Sequence, residues 1–594
     1  MRSFTAIVSV LFLSVGLAMI GQRTDAQYRP PTVAASRPAE ASDGPPIRLA
    51  VIIVVDQLRA DLITRHEPLF GDDGFRRLLR RGAHFRNASI SYGSSATAPG
   101  HATIATGRLP RQHGITGNRW FLDATPGKAS AAIDDPDCDL VDSAQPAATT
   151  RPAKGYGKSS QALIGAALGD QLKLADARSR VVSIAWKDRA AILMAGRRPD
   201  WAVWFDAYLG RFVTSTYYAA ALPKSVDQFN HDAMVDRFAG QTWDRLLPSA
   251  AYDRCWSIDP ARITDHDGIG NRFPHELPGG KGKRDKAYYY ALAASPFSNS
   301  VVMELVTQVI QQERLGRGAA TDLLCVGLSA NDLVGHIFGP ESPEVLDMTV
   351  RTDREIARLL DALDQAVGLD RCAIVLTGDH GASTPPALTL GAGIGGGYLN
   401  MPTLTTELNS RLDRAIHTPG GELSLAEDVF GKNEPIVSGF ELPWVYFNRK
   451  VLTLDKAKRD AILAEAAAYL KTVPGFDDAI TASVMEGPMP AREDVGKWLA
   501  WRGYHPGRSG EIYLQLSPHW HKTPDKLSGH SASYSHDRHV PIVLCGPGVK
   551  PGVYFQPADL MDIAPTLAAL LGIEAPPDTL GRVLGEAMDS TAKP

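Results

Sequence analysis

The run LAVIIVVD, from Leu49 to Asp56, contains seven consecutive apolar residues followed by an acidic one. A strand that is apolar at every position has both faces covered, which is typical of a parallel sheet between two layers of helices. Further runs rich in Val, Ile and Leu recur at Val181–Ala185, Asp322–Leu328, Ala373–Leu376 and Val540–Leu544. These five runs predict a buried, mostly parallel central sheet.

The stretches between these strands carry apolar residues at three- and four-residue spacing, the period of an amphipathic helix. The pattern predicts helices at Phe75–Arg81, Ser160–Leu174, Ser300–Arg314, Pro343–Val367 and Leu454–Leu470. Strands that alternate with helices predict an α/β sandwich, which we place at 47–587 as one catalytic domain. Two stretches, 188–297 and 384–527, break the alternation, and we interpret them as insertions that cover a site.

The first 46 residues are interpreted as an export signal and a tether. Residues 1–26 contain an apolar run from Phe4 to Ile20 and then small residues, the pattern of a secretory signal peptide, with a membrane anchor as the alternative. Residues 27–46 are rich in Pro, Ala and Ser without an apolar period, which predicts a flexible linker. We therefore expect a periplasmic or secreted protein that keeps no membrane span after cleavage.

Charge and cysteine content limit the partners of this chain. Its 594 residues carry a formal net charge of −4, so no overall positive field is available to bind nucleic acid or an anionic membrane. An anionic substrate must be bound by a local site. Cys138 and Cys255 lie in polar, loop-like sequence where export could oxidise them to a disulfide, and the sequence leaves that pairing open. The oligomeric state is also open, with a monomer favoured.

Three of the predicted strands are followed by acidic residues. Asp56 follows the first strand directly, Asp332 follows Asp322–Leu328 after a short turn, and Asp379 follows the strand at Ala373–Leu376. Any one of them alone could be an ordinary helix cap. Because ligand sites in open α/β sheets lie at the carboxyl ends of strands, three together indicate a functional site.

Histidines near these acidic residues suggest a metal centre. His380 adjoins Asp379, and His336 follows Asp332 by four residues, which places both side chains on one face of a helical turn. Adding the late His530 gives two three-ligand groups: Asp56, Asp379 and His380, and then Asp332, His336 and His530. Three protein ligands with an open position are the catalytic form of zinc coordination, although manganese or cobalt also fits these donors. We therefore predict two Zn²⁺ per chain.

Thr97 is the candidate nucleophile. It lies in TAPGH, residues 97–101, where Pro99 is well placed as the first helical residue and Thr97–Ala98 as the helix entry. Thr97 could be an ordinary N-cap, but a hydroxyl at a helix N-terminus also faces an anion-binding end. A threonine hydroxyl needs a base or a metal to become nucleophilic, and the predicted zinc would supply that activation.

These motifs together with HGITGN, residues 113–118, resemble the alkaline phosphatase superfamily. Within it, the chain is similar to the bacterial periplasmic alkaline phosphatases with a threonine nucleophile, the PafA-like group. The resemblance extends from about Arg48 to Pro577. It implies an alkaline-phosphatase-like three-layer α/β/α sandwich with a mostly parallel central sheet and cap-like insertions. One departure is Ser531 after His530, where the family usually has glycine.

The resemblance also implies roles for individual residues. Asp56, Asp379 and His380 match the ligands of the zinc that activates Thr97, and Asp332, His336 and His530 match those of the leaving-group zinc. Asn118 matches an amide that binds a phosphoryl oxygen, although after Gly117 it could be a simple turn residue. Lys187 and Arg189 match a Lys-x-Arg pair of the threonine-type monoesterases, although such a tripeptide is usually a solvated strand end. The predicted reaction is hydrolysis of small phosphate monoesters through a phospho-threonine intermediate, with release of inorganic phosphate.

Three alternatives remain beside this prediction. A phosphodiesterase or nucleotide pyrophosphatase on the same scaffold would share Thr97, Asn118 and the six metal ligands, and only Lys187 and Arg189 argue against it. A sulfatase would need Cys or Ser in a C/S-x-P-x-R context, which TAPGH does not provide. A non-catalytic zinc-dependent binding protein would leave an activated hydroxyl beside two open metal sites unexplained.

Overall fold

The computed structural model describes residues 47–589 except 122–128, 144–154, 257, 260–261, 266–267, 280–283, 418–422, 424–428, 431–433 and 523–525. The predicted signal peptide (1–26) and linker (27–46) lie outside the described residues. No helix in the described ranges is both long and apolar enough to cross a bilayer. All five cysteines are free, so Cys138 and Cys255 form no disulfide, and the Cys138 thiol donates to Asp135.

The core of the described chain is a ten-stranded sheet. Its spatial order is Gly552–Tyr554, Gly82–Phe85, Ile542–Cys545, Cys372–Thr377, Leu49–Val55, Asp322–Leu328, Val181–Ala185, Trp201–Asp206, Arg211–Ser215 and Leu140–Val141. The five strands from Cys372–Thr377 to Trp201–Asp206 run parallel to one another. The predicted α/β class with a mostly parallel centre is confirmed. The strand predicted at Val540–Leu544 is observed at Ile542–Cys545, where it runs antiparallel to Cys372–Thr377.

Leu49–Val55 lies at the middle of this sheet and is fully buried. Its even-numbered side chains pack into one hydrophobic cluster and its odd-numbered side chains into another. Successive side chains of a strand point to opposite faces, so one apolar run contributes to two cores. Each fully buried Val, Leu or Ile side chain contributes about 1.5–3 kcal/mol. The unbroken apolar pattern therefore requires helices on both faces of the sheet.

Helices cover both faces, which gives the three layers. The cluster of the even-numbered side chains includes residues of Thr97–Thr106, Leu168–Ala175, Asp188–Ala195 and Ile563–Leu571. The other cluster includes residues of Ala60–His66, Phe75–Arg81, Lys224–His231, Lys286–Ala293, Pro296–Gln312, Ala330–Phe338 and Pro343–Ala366. Of the predicted helices, Ser160–Leu174 is the least accurate, because the observed helix begins only at Leu168. Gly165 has a φ of 87°, which an α-helix cannot contain.

The two stretches interpreted as insertions differ in structure. Within 188–297, Trp201–Asp206 and Arg211–Ser215 are strands of the central sheet, so this stretch extends the core as well as covering it. Within 384–527 lies a second, antiparallel sheet with strands in the order Val437–Glu441, Trp444–Phe447, Ile512–Leu516 and Phe476–Thr481. Helices Met401–His417 and Lys456–Leu470 pack against this second sheet.

Glu511 makes the stability of the second sheet depend on pH. Its carboxylate accepts a hydrogen bond of 2.8 Å from the Phe447 amide, and burial raises its pKa from 4.5 to about 7. The unfolded chain therefore releases this proton at lower pH than the folded chain. The free energy of unfolding should fall as pH rises from about 4.5 to about 7 and stay lower above that range.

Replacing Glu511 by Gln should remove this pH-dependent loss, because the amide keeps the shape and acceptor without the charge. Denaturant unfolding at pH 5 and pH 8 should show that Glu511→Gln gains stability over the parent chain mainly at pH 8. The exposed Glu493→Gln serves as control. An equal difference between variant and parent at both pH values would contradict the expectation.

Candidate active site and metal centre

The carboxyl ends of three neighbouring strands bring the predicted acidic residues together. Leu49–Val55 pairs in parallel register with Asp322–Leu328 on one side and Cys372–Thr377 on the other. Asp56 follows the central strand, Asp332 lies in the first turn of Ala330–Phe338, and Asp379 follows the third strand. All three carboxylates are at most 3% exposed. The edge of the sheet therefore holds a buried concentration of negative charge.

Asp332, His336 and His530 form one group whose ligand atoms converge within 4.8 Å. Oδ1 of Asp332 lies 3.2 Å from Nε2 of His336 and 3.8 Å from Nε2 of His530. The two imidazole rings are 5.1 Å apart between centroids. This is the set that the sequence predicts for one metal site.

The second convergent group contains Asp56, His380 and, again, Asp332. Nε2 of His380 lies 3.5 Å from Oδ1 of Asp56 and 3.5 Å from Oδ2 of Asp379. Oδ1 of Asp379 accepts hydrogen bonds from the amides of Gln57 and His380, so only its Oδ2 faces this group. The structure thus brings the predicted ligands Asp56, Asp379 and His380 together and adds Asp332 as a neighbour of both groups.

The three histidines share one orientation. Each donates from Nδ1 to a backbone carbonyl: His336 to Ser528 at 2.8 Å, His380 to Gly381 at 3.0 Å and His530 to Ser95 at 2.7 Å. Such a bond fixes the ring and the tautomer and leaves Nε2 as the coordinating atom, the usual arrangement around metal-bound histidines. In all three, Nε2 is the atom that approaches a carboxylate.

Buried polar atoms without hydrogen-bond partners also favour a metal centre at this site. Oδ1 of Asp56, Oδ2 of Asp379 and Nε2 of His380 are buried and have no hydrogen-bond partner among the described residues. Buried polar atoms are normally paired, so three converging exceptions indicate atoms that are suited to coordinate a metal ion. The donors are nitrogen and oxygen without thiolate, which suits zinc and related divalent ions.

Lys187 partly balances the negative charge. Its Nζ lies 2.7 Å from Oδ2 of Asp56 and 2.6 Å from Oδ2 of Asp332, and it is 3.5 Å from the hydroxyl of Thr97. Burial raises the pKa of Asp56 to about 7, and the neighbouring Asp379 adds to this rise, whereas Lys187 opposes it. Burial also favours neutral Asp332, but His336 and Lys187 hold its pKa well below the ordinary value. One ammonium group does not neutralise three carboxylates, so the site attracts cations.

Thr97 is the first residue of helix Thr97–Thr106, and Ala96 occupies the N-cap position. The prediction of Pro99 as the first helical residue is therefore wrong by two positions, and the alternative of Thr97 as an ordinary N-cap is wrong by one. At its observed position the Thr97 hydroxyl accepts a 3.5 Å hydrogen bond from Nζ of Lys187. It is 1% exposed and faces Lys187 at the edge of the metal ligands.

Asn118 and Arg189 complete the surroundings of Thr97. Oδ1 of Asn118 accepts a 2.8 Å hydrogen bond from the Ala98 amide at the start of the helix. This bond fixes the side chain and leaves its NH₂ group as a donor. Arg189 lies in the first turn of Asp188–Ala195, for which Lys187 is the N-cap. Thr97, Asn118, Lys187 and Arg189 line one cavity of about 390 Å³.

Sequence reasoning missed several residues around the site. Gln57 adopts a φ of 64° and donates from Nε2 to Oδ1 of Asp332 at 2.7 Å. His101 places Nδ1 3.4 Å from Oδ2 of Asp379 and 2.8 Å from the Thr97 carbonyl. Lys526 also lines the cavity that contains Thr97. Proximity in sequence to Asp56, Thr97 and His530 is the only signal that these residues offered.

Comparison with known proteins decides the family. The model of the type I phosphodiesterase / nucleotide pyrophosphatase family matches residues 50–539. The chain belongs to this family. It is 33% identical over 557 residues to a protein of Myroides odoratus named calcium-transporting ATPase. This match covers 91% of this chain and 95% of that protein. It is 32% identical over 551 residues to the alkaline phosphatase PafA of Elizabethkingia meningoseptica, with 91% and 94% covered.

The fold agrees with this assignment. The crystal structure of wild-type alkaline phosphatase PafA superposes with a TM-score of 0.78 at 30% identity, covering 92% of this chain and 99% of that one. The predicted resemblance to alkaline phosphatases is confirmed, as is the prediction of an enzyme of the phosphoesterase hydrolase class.

Gly100 connects the Thr97 helix to a metal ligand and provides a test of the geometry. A Cβ at this position would lie 2.5 Å from the carbonyl oxygen of Asp379 and 2.8 Å from its Cβ. Gly100→Ala should therefore push the helix away from Asp379 and lower kcat/KM by at least about ten-fold, because it displaces Thr97, the predicted nucleophile, and small displacements of a reacting group are costly. The free energy of unfolding should fall by about 1–3 kcal/mol.

Gly391→Ala is the matched control, because no atom lies within 4 Å of a Cβ built there. Steady-state kinetics and denaturant unfolding of both variants check the prediction. Normal kcat/KM in Gly100→Ala would show that the helix position does not govern activity.

Proposed function

We propose that this protein is an exported, two-zinc phosphate monoesterase that uses Thr97 as its nucleophile. The observation that carries the proposal is the position of the Thr97 hydroxyl. It lies at a helix N-terminus, beside two convergent sets of metal ligands and 3.5 Å from Nζ of Lys187. The substrates are small-molecule phosphate monoesters, and the product common to all of them is inorganic phosphate.

Asp56, Asp379 and His380 would hold one zinc ion, and Asp332, His336 and His530 the other. Zinc, when bound, supplies Lewis-acid stabilisation of negative charge on the oxygens that attack and leave phosphorus. The buried atoms without partners on Asp56, Asp379 and His380 support this assignment. Asp332 converges with both groups, so its carboxylate would lie beside either ion.

The reaction then divides into two phosphoryl transfers. In the first, Oγ1 of Thr97 gives its proton to solvent and bonds to phosphorus while the bond from phosphorus to the leaving oxygen breaks, and the leaving oxygen takes up a proton from solvent. In the second, the oxygen of a water molecule bonds to phosphorus while the bond to Oγ1 breaks; one proton of that water regenerates the Thr97 hydroxyl and the other stays on inorganic phosphate. The NH₂ group of Asn118 is suited to donate to a nonbridging oxygen in both steps, because its Oδ1 is already held by the Ala98 amide.

Lys187 and Arg189 favour monoesters over diesters. The transferred group of a monoester carries two negative charges and that of a diester carries one, so each added cation stabilises the monoester more. Lys187 is buried, and burial opposes its charge, but Asp332 and Asp56 raise its pKa and keep it cationic. The family model is named for phosphodiesterases, which makes diester hydrolysis the second candidate function.

Export is proposed from the sequence of residues 1–26 alone, as delivery to the periplasm or beyond the cell. A monomer is the proposed state of the exported protein.

The ratio of monoester to diester activity tests the substrate class. Purified protein supplied with zinc should hydrolyse a nitrophenyl phosphate with a much higher kcat/KM than bis-nitrophenyl phosphate at alkaline pH. Preference for the diester would support the phosphodiesterase alternative instead. Lys187→Ala and Arg189→Ala should each lower monoester kcat/KM at least about ten-fold more than diester kcat/KM. The exposed Arg198→Ala is the control, and equal losses on both substrates would contradict the charge argument.

Replacement of the nucleophile tests the mechanism. Thr97→Ala should lose turnover while still binding two zinc ions per chain, because the six protein ligands remain. Thr97→Ser should keep part of the activity, since it retains the hydroxyl. Elemental analysis with steady-state kinetics checks both expectations. Fewer than two metal ions per chain in the parent protein, or full turnover by Thr97→Ala, would contradict the mechanism.

A further inference from the structure

The cavity around Thr97 contains more positive charge than a phosphoryl group requires. Its lining includes five cationic side chains, Arg119, Lys187, Arg189, Lys522 and Lys526, but only two acidic ones, Asp332 and Glu441. Lys187 lies between Asp56 and Asp332, and Arg119 approaches Glu441 at 3.6 Å. Lys522 and Lys526 have no ion-pair partner among the described residues.

Lys526 lies near Asp332 and His336, two of the ligands predicted for the leaving-group zinc, and Lys522 lies near Lys526. Lys526 is two residues from Ser528, whose carbonyl holds Nδ1 of His336 at 2.8 Å, and four residues from His530. Lys522 ends the short strand Trp520–Lys522, which pairs with Gly397–Leu399. Lys526 therefore lines the part of the cavity next to Asp332, His336 and His530, and Lys522 lies close enough for its charge to act on Lys526.

Among the described residues of the cavity wall, the positive charges around Lys526 lack a compensating anion. The pKa of Lys526 is below its ordinary value, chiefly because of desolvation in the cavity. Asp332 opposes this shift, whereas the charges of Lys187, Lys522 and Arg189 add to it. Cations that destabilise one another in this way are stabilised when an anion binds among them.

The remaining walls suit an organic leaving group. Leu333, Leu442 and Leu516 line the same cavity, the latter two from the second sheet and the turn that follows Val437–Glu441. His521 adds a buried side chain, 6% exposed, whose Nε2 has no hydrogen-bond partner in the described part of the chain. A cavity lined by both apolar and cationic side chains fits a small carbon skeleton that carries a negative charge.

We propose that Lys522 and Lys526 form a second anion subsite, which selects phosphate monoesters whose leaving group itself carries a carboxylate or phosphate. This inference rests on the proposed monoesterase function and specifies its substrate class. Lys187 and Arg189 bind the phosphoryl group that is transferred, and the two further lysines bind the anionic group that leaves. Lys522 and Lys526 are specificity-determining residues and take no part in the transfer of phosphorus.

A matched pair of substrates isolates the charge. 4-Carboxyphenyl phosphate and 4-carbamoylphenyl phosphate have nearly the same shape, but only the first has an anionic leaving group. The readout is the ratio of their kcat/KM values, compared between parent and variants so that intrinsic leaving-group reactivity cancels. Lys522→Gln and Lys526→Gln should each lower this ratio about three-fold, and the double variant about ten-fold. The exposed Lys224→Gln, on helix Lys224–His231, should leave it unchanged.

Salt provides a second arm of the experiment. At about 1 M ionic strength, where the screening length is about 3 Å, the ratio of the parent protein should fall towards that of the double variant. A ratio that does not change in the lysine variants would overturn the proposal. So would an equal loss on both substrates, which would assign the lysines to phosphoryl binding.

Calorimetric titration of the two esters into Thr97→Ala measures the same preference without turnover. Tighter binding of the carboxylate ester, reduced by Lys522→Gln and Lys526→Gln, supports the subsite, and equal affinities overturn it. If the parent hydrolyses neither ester, the proposed function fails while the calorimetric ratio still decides the subsite.

Discussion

Three carboxylates, Asp56, Asp332 and Asp379, lie buried together at the carboxyl edge of the central sheet. The other side chains of the site must offset the repulsion between these three negative charges. Buried like charges are unfavourable unless cations approach them closely. Lys187 approaches two of the three, and His336, His380 and His530 present Nε2 to the same oxygens. The arrangement suits a candidate metal centre, because divalent ions would supply the positive charge that the side chains lack.

The burial of the central sheet offsets the unfavourable free energy of holding these charges together. Leu49–Val55 contributes to both hydrophobic cores, and its neighbours Asp322–Leu328 and Cys372–Thr377 are equally buried. Parallel register aligns the three strand ends, so the acidic residues that follow them must meet. Gly100 then allows the Thr97 helix to pack directly on Asp379, which sets the distance between the hydroxyl and the ligands.

The second sheet is joined to the same site through few but specific contacts. Nε1 of Trp444 donates to the Thr116 carbonyl at 3.0 Å, two residues before Asn118. The Tyr513 hydroxyl donates to the Gly93 carbonyl at 3.1 Å, just before the Thr97 helix. The stretch 384–527 therefore holds the segments that carry Thr97 and Asn118, and it also supplies Leu442 and Leu516 to the cavity wall.

The sequence by itself determined the class of fold, the strands Leu49–Val55, Val181–Ala185 and Asp322–Leu328, and the residue types at their ends. These features follow from local rules, since apolar periodicity and strand-end position can be recognised along the chain. Only the tertiary structure decided that Asp332 neighbours both ligand groups, that Lys187 lies between two carboxylates, and that the helix begins at Thr97 and not at Pro99. It also decided that Trp201–Asp206 belongs to the central sheet and that Lys522 and Lys526 face the cavity. Each of these depends on contacts between residues far apart in sequence, which no local pattern records.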